Sequence, residues 1–473
     1  MEFNSIRFLL FLTTLTVSYY ILPRQFQWLL LLAASYVFYI NLGAEHALIL
    51  FTVTLVTYIF AQIMGAIISK RTKHILLIIG LCANLSILII FKYLNFITRS
   101  LFELCLFFKI PIAMPVTAII LPIGISFFTF RAVNYLVDIY QGKLNPERNF
   151  GHFALYVSFF PSLLAGPIDR ATTFLPQTKK QRYFNSTLIL NGLQLIMWGI
   201  FKKVVIADRL ALYVNSVYGN LDQHTGPTLI IAAYFYTIQI YCDFSGYSDI
   251  AIGCGRMLGY ELMQNFNLPY FATTMSDFWR RWHISLSTWF RDYVYIPLGG
   301  NRQGKMRILL NLLITMVLCG FWHGAAWNFI VWGGLHGILL CFSRITKDFR
   351  DQVYQKLKVP ESLITVIRTI ITFHLVAILW IFFRIEKIND ALYIIKHIFI
   401  GWPKVFVDQT SFPYGLIFIP MLLIIEFLEK RRLFLQGILL WPIAARWAVY
   451  WFIIFTIILF GVDGGSQFIY FQF

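Results

Sequence analysis

Ala47-Leu-Ile-Leu-Phe-Thr-Val-Thr-Leu-Val-Thr-Tyr-Ile-Phe-Ala-Gln-Ile-Met-Gly-Ala-Ile-Ile68 is an uncharged run of 22 residues, and Ser69-Lys70-Arg71-Thr72-Lys73 follows at once. About 20 predominantly apolar residues span a bilayer core as a helix. A basic cluster beside such a run is the mark left by the positive-inside rule. This stretch therefore decides the fold class, and the rest of the chain repeats it. Apolar runs recur at 6–22, 28–43, 75–91, 112–137, 152–168, 188–206, 228–252, 308–322, 327–342, 363–384, 413–428 and 443–462. Several are short or polar, so the expectation is an all-α polytopic membrane protein with ten to twelve crossings, the remaining windows being re-entrant or interfacial.

Composition agrees. The 473 residues are 59% hydrophobic and 13% charged, against about a quarter charged in soluble domains. One membrane-embedded unit over 1–473 is expected rather than a string of domains. The formal charge of +17 lies in short clusters between apolar runs, with no hydrophilic basic domain of the kind that nucleic acid requires. Membrane lipids, or an anionic cytoplasmic substrate, are the expected partners. The six cysteines form no CxxC pair, so neither a disulfide framework nor a zinc site is expected. Residues 6–22 lack a small-residue cleavage site and read as a retained span. With Arg24 and the 69–73 cluster inside, the N-terminus lies outside the cytoplasm.

The segment 276–307 breaks the apolar pattern. It carries Arg280, Arg281, Arg291, Arg302, Lys305 and Arg307 against Asp277 and Asp292. Trp282, Leu286, Trp289 and Tyr293 recur at helical spacing as one apolar stripe, and Arg281, Ser285, Thr288 and Asp292 as a polar one. The expectation is an amphipathic helix lying at the membrane interface, ended by Pro297-Leu-Gly-Gly300.

Ionisable groups inside spans are costly and mark functional sites by default. His323 sits in Cys319-Gly-Phe-Trp-His-Gly-Ala-Ala-Trp327, between Gly320 and Gly324, and six of the thirteen Trp fall between Trp279 and Trp332. A histidine in such a cavity can stay neutral and act as a base; a hydrogen bond between packed helices is the plainer alternative. His336, among Gly333, Gly334 and Gly337, reads as helix packing, and His374 as a core residue. His283, beside Arg280 and Arg281, suits catalysis or a lipid-facing role. Tyr241-Cys-Asp-Phe-Ser-Gly-Tyr-Ser-Asp249 places Asp243 and Asp249 in an apolar run, as anchors or as the lining of a polar funnel. Gly255-x-x-x-Gly259 indicates close helix contact. No P-loop, GxSxG or HExxH is present, so no cofactor or metal is expected.

Phe278-Trp-Arg-Arg-Trp-His283-Ile-Ser-Leu-Ser-Thr-Trp-Phe-Arg-Asp-Tyr-Val-Tyr-Ile-Pro-Leu-Gly-Gly-Asn-Arg302, with Trp322-His-Gly-Ala325, resembles the membrane-bound O-acyltransferase (MBOAT) family, in its bacterial alginate and peptidoglycan O-acetyltransferase branch. Leu121-Pro-Ile-Gly-Ile-Ser-Phe-Phe-Thr-Phe130, Ala165-Gly-Pro-Ile-Asp169, Asp243-Phe-Ser-Gly-Tyr-Ser-Asp249 and Phe468-Ile-Tyr-Phe-Gln-Phe473 agree with it. The resemblance implies a ring of helices around a central funnel, in a bacterial inner membrane. It implies an O-acyltransferase carrying an acetyl group from cytoplasmic acetyl-CoA toward an extracytoplasmic polysaccharide. An extracytoplasmic acetyltransferase- or esterase-like partner would complete the transfer. His323 would be the catalytic histidine, His283 the second, and Tyr470 an acyl acceptor. Arg280, Arg281, Arg302 and Lys305 would meet the phosphates of coenzyme A, while Asp243, Asp249, Trp322 and Trp327 would line the funnel. D-alanyl transfer to teichoic acid, or a transporter or export channel, are the alternatives.

Overall fold

A computed structural model describes residues 1, 3–110, 112, 120–401, 405–430, 438–462 and 467–469. Every regular element among them is helical, as an apolar solvent demands, because a helix satisfies its own backbone groups. Among the described residues eight helices are long and apolar enough to cross a membrane: Ala44–Ala66, Lys70–Phe107, Ser186–Gly219, Lys305–His323, Trp327–Ile345, Glu361–Arg384, Phe412–Glu429 and Ile443–Phe460. A shorter apolar helix, Ile6–Ile21, precedes them. Their outward faces suit lipid: Phe452, Phe455, Ile458 and Leu459 are all more than half exposed. The chain is a multi-pass membrane protein.

Other apolar windows fold differently, each for a local reason. Window 152–168 is split into Phe150–Ser158 and Phe160–Leu163, because Phe159 leaves helical geometry before Pro161. In window 112–137, a helix is described only from Ile125 to Tyr140. It starts behind Gly124, whose φ of +84° a side chain would strain. Window 228–252 becomes the 31-residue helix Pro227–Met257.

The described chain divides into two compact units. The first comprises Met1–Leu193 and Ala251–Met263. Within it the helices Ala44–Ala66, Lys70–Leu88 and Ile125–Tyr140 pack together. Arg131 is buried at their core, and its two terminal nitrogens donate to the carbonyls of Tyr156, Val157, Ser162 and Pro167. That fan of bonds ties the 121–130 and 165–169 motifs into one structural element. Gly124 and Gly166 belong to it: a Cβ on Gly124 would lie 2.8 Å from the Leu163 carbonyl oxygen, and one on Gly166 2.4 Å from Ser162 Cα.

Asp169 in this element accepts a bond from the Met263 amide at 2.9 Å. Burial pushes its carboxyl up to about 6, against the opposing pull of Arg131. A raised acid contributes stability that is complete below its ordinary value and lost as pH rises through about 6. Asp169→Asn should therefore gain thermal stability relative to the parent as pH rises through that value, by up to about 3 kcal/mol. Paired melting curves across pH check this, and a constant difference between the two proteins would refute it.

The second unit comprises Gln194–Ile250 and Gln264–Phe473. Its centre is an antiparallel hairpin, Lys305–His323 against Trp327–Ile345, packed on Glu361–Arg384. A Cβ on Gly320 would lie 2.2 Å from the Phe329 carbonyl oxygen, and one on Gly333 2.3 Å from that of Met316. The two backbones touch there, as small residues permit between membrane helices. A second close crossing joins Gly199 to Gly246, where either Cβ would meet the opposite carbonyl oxygen within 2.7 Å.

Candidate active site

The 276–307 segment corrects the expected continuous interfacial helix. Thr274 caps a helix, Met275–Arg281, by accepting from the Asp277 amide. His283 then takes a left-handed conformation, φ +43°, and a second helix, Ile284–Phe290, follows before a π-helical turn at Arg291–Tyr295. The apolar stripe is real, but protein covers it: Trp282, Leu286 and Trp289 are buried, and the Trp282 ring lies 4.8 Å from Trp380.

Asn265 holds the break open. Its Oδ1 accepts from the Ser285 amide at 3.2 Å and the Ser285 hydroxyl at 2.7 Å. Its carbonyl accepts from the Ile284 amide, and its Nδ2 donates to the Ser248 hydroxyl. Two donors on Oδ1 identify it as the amide oxygen, so His283 Nδ1, 3.2 Å away, must donate to it. Nε2 is then the nitrogen with the lone pair. Burial holds the His283 imidazole well below its ordinary value, so it is neutral at physiological pH.

His323 is the last residue of its helix, with the backbone extended at Gly324. Its ring is buried, 6.4 Å between centroids from His283. Trp322, Trp332 and Phe383 stand 5.0, 5.1 and 5.3 Å from it. The two histidines are too far apart for a direct hydrogen bond, and close enough for one small group to contact both. His336 keeps its packing role: Nδ1 accepts from Trp279 Nε1 at 3.3 Å, and Trp332 lies 4.7 Å away.

The remaining candidates scatter. Trp322 is buried beside the pair, whereas Trp327 is 54% exposed. Arg281 pairs with Asp277 at 3.0 Å and Arg280 with the same carboxylate at 3.8 Å, both within three residues of His283. Arg302 and Lys305 are exposed at the opposite end of the Lys305–His323 helix, about 27 Å along its axis from His323. Asp243 and Asp249 are engaged by Lys203 and Lys202, at 2.8 and 2.6 Å. Tyr470 lies outside the described residues. Among the described residues no cluster of three or more His, Cys, Asp or Glu is placed to hold a metal. In the first unit a cleft of about 820 Å³ is walled by Tyr20, Arg24, Arg182 and Tyr183 and contains neither histidine.

Asn265, Lys203 and Trp380 had no part in the sequence reading. Asn265 sits in an irregular stretch that gives no periodic signal. Lys202 and Lys203 did signal, as two charges inside an apolar run.

A profile of the membrane-bound O-acyltransferase family matches residues 146–383, a span that contains both histidines. A probable alginate O-acetylase of Azotobacter vinelandii is 40% identical over 393 residues, covering 83% of this chain and 76% of that protein. A peptidoglycan O-acetyltransferase of Helicobacter pylori is 37% identical over 409 residues, 78% of this chain and 72% of its own length. A teichoic acid D-alanyltransferase of Bacillus subtilis is 29% identical over 277 residues, covering 54% and 66%.

Proposed function

We propose, from the premise that the chain belongs to the membrane-bound O-acyltransferase family, that it O-acetylates an extracytoplasmic polysaccharide with cytoplasmic acetyl-CoA as donor. The enzyme class is given by the family, an O-acyltransferase. The observation that carries the chemistry is the buried pair of histidines 6.4 Å apart. Alginate and peptidoglycan are the acceptors named for the relatives, and a polysaccharide of this kind is the acceptor proposed here. An inner-membrane location follows, with the N-terminus outside and the Arg24 and 69–73 loops inside. An extracytoplasmic acetyltransferase- or esterase-like protein would take the group onward to the glycan.

In this reading His323 accepts the proton of an acceptor hydroxyl as its oxygen bonds to the acetyl carbon. The carbon–sulfur bond breaks, and the leaving sulfur takes the proton back to give the free thiol of coenzyme A. His283, with its lone pair on Nε2, orients the hydroxyl. Trp332 has a buried indole N–H with no hydrogen-bond partner among the described residues, and stands beside His323 as a donor to the developing oxyanion. Arg280 and Arg281 would meet the coenzyme A phosphates, with Arg302 and Lys305 contributing at the far end of their helix. Tyr470 is the proposed relay, holding the acetyl group as a phenyl ester before the glycan receives it.

Purified protein incubated with acetyl-labelled coenzyme A tests this: the thioester is consumed and label passes to an acceptor. If only a D-alanyl carrier thioester is consumed, the cargo is wrong. Asn265→Ala, which frees the His283 ring, should lower turnover by about 10²-fold, while Asn265→Asp, keeping the acceptor oxygen, recovers part of it. Equal losses in both variants would mean that the amide does not act through His283.

A further inference from the structure

Lys202 and Lys203 stand side by side in a π-helical segment, Phe201–Ala207, just past the Gly199–Gly246 crossing. In an α-helix consecutive side chains diverge by about 100°; here both reach Pro227–Met257. Lys202 meets Ser245 and Asp249. Lys203 meets Asp208 and Asp243, each at 2.8 Å. Lys203, Asp208 and Asp243 are all buried.

This trio does more than pair charges. The second oxygen of Asp243 accepts the backbone N–H of Ile469 at 2.8 Å, across 226 residues of sequence. The Phe468 ring lies 4.5 Å from Lys203 Nζ and edge-on to Tyr247 at 5.1 Å. Upstream, the Val462 amide donates to the Val204 carbonyl. Phe468 and Ile469 are both buried. Phe468 and Ile469 are therefore seated on one face of a helical turn, that of Asp243 and Tyr247. The adjoining face of the same turn serves His283: Phe244 packs on its ring at 4.6 Å, and Ser248 holds Asn265.

We propose that Asp243, held in place by the Lys203 that it shares with Asp208, is the clip that seats Phe468 and Ile469 one helix face away from His283. It is thereby a positioning residue for acyl transfer. The inference rests on the reading of the chain as an acetyltransferase whose acceptor segment includes Tyr470. The two oxygens of Asp243 divide the work: Oδ1 meets Lys203 and Oδ2 meets the Ile469 amide. Ile469 has one N–H to give, and Asp243 takes it.

The test uses full-length protein in lipid nanodiscs, with Asp243→Ala and Ile469→Pro. The proline variant removes the clipped N–H and leaves every charge of the trio in place, so it keeps the test open if Asp243→Ala fails to fold. Two quantities are read: hydrogen exchange in the peptide after residue 461, and acetyl transfer. Ile469→Pro should speed exchange there and lower kcat by about 10²-fold, with KM for acetyl-CoA and the melting temperature unchanged. Unaltered exchange or full transfer in Ile469→Pro would overturn the clip. If His323→Ala also keeps full transfer, the acetyltransferase reading falls instead, and the exchange readout still decides the clip.

Discussion

His323→Ala abolishes acetyl transfer, with kcat falling by about 10²–10⁴-fold, the usual worth of a general base. The loss should be chemical rather than structural. His323 closes its helix instead of interrupting it, and its ring meets aromatic side chains that stay packed on one another: Trp332 stacks on Trp380 at 5.6 Å, and Phe383 lies 5.1 Å from Trp332. The Gly320–Gly333 contact, which sets the hairpin, lies one turn earlier and is untouched. Acetyl-CoA consumption by purified protein, read beside a melting curve, separates the two kinds of loss. His336→Ala supplies the contrast. It removes the acceptor of the Trp279 bond and should cost stability more than turnover. A His323→Ala protein with parental turnover would move the base elsewhere in the chain.

The second large effect is at Lys203. Substituting Met leaves Asp208 and Asp243 buried and facing each other without their shared cation. Breaking a buried pair by removing one partner costs about 3–5 kcal/mol, a large part of a membrane protein's margin. Lys203→Met should fail to accumulate in the membrane or melt far below the parent. Adding Asp208→Asn and Asp243→Asn neutralises the site and should recover most of the loss. Recovery of folding with only part of the transfer activity is the expected outcome, because the neutral amide oxygen of Asn at 243 holds the Ile469 amide more weakly than a carboxylate does. A single Lys203→Met variant with a parental melting temperature would refute the account.

How much of this was legible in the sequence depends on the kind of signal each residue leaves. The membrane class was plain from 47–68, since length and absence of charge are the physical requirement itself. His323 and His283 were found through their motifs, but nothing in their forty-residue separation gives a ring distance. The segment 276–290 went wrong for two separate reasons. Periodicity reports a face and not what covers it, so a stripe destined for Trp380 read as that of an interfacial helix. The left-handed turn at His283 is imposed by Asn265, eighteen residues upstream, and leaves no trace in the spacing. Tryptophan density also misled: Trp327 is near His323 in sequence and exposed, whereas Trp380, nearly sixty residues on, walls the aromatic cluster. Lys202 and Lys203 were visible as charges in an apolar run, but their partners emerge only when two helices cross.

The π-helical segment Phe201–Ala207 also governs how this helix tolerates change in length. A π turn accommodates one residue more than the α repeat would hold, in a single wide turn. Deleting one residue there lets the chain relax to the α repeat and leaves the helix beyond it in phase. The wide turn from which Lys202 and Lys203 both reach the neighbouring helix would be lost, while Asp208 keeps its bearing. The same deletion in an α-helical turn on either side swings everything beyond it by about 100°, so single-residue gaps should be better tolerated within Phe201–Ala207 than beside it.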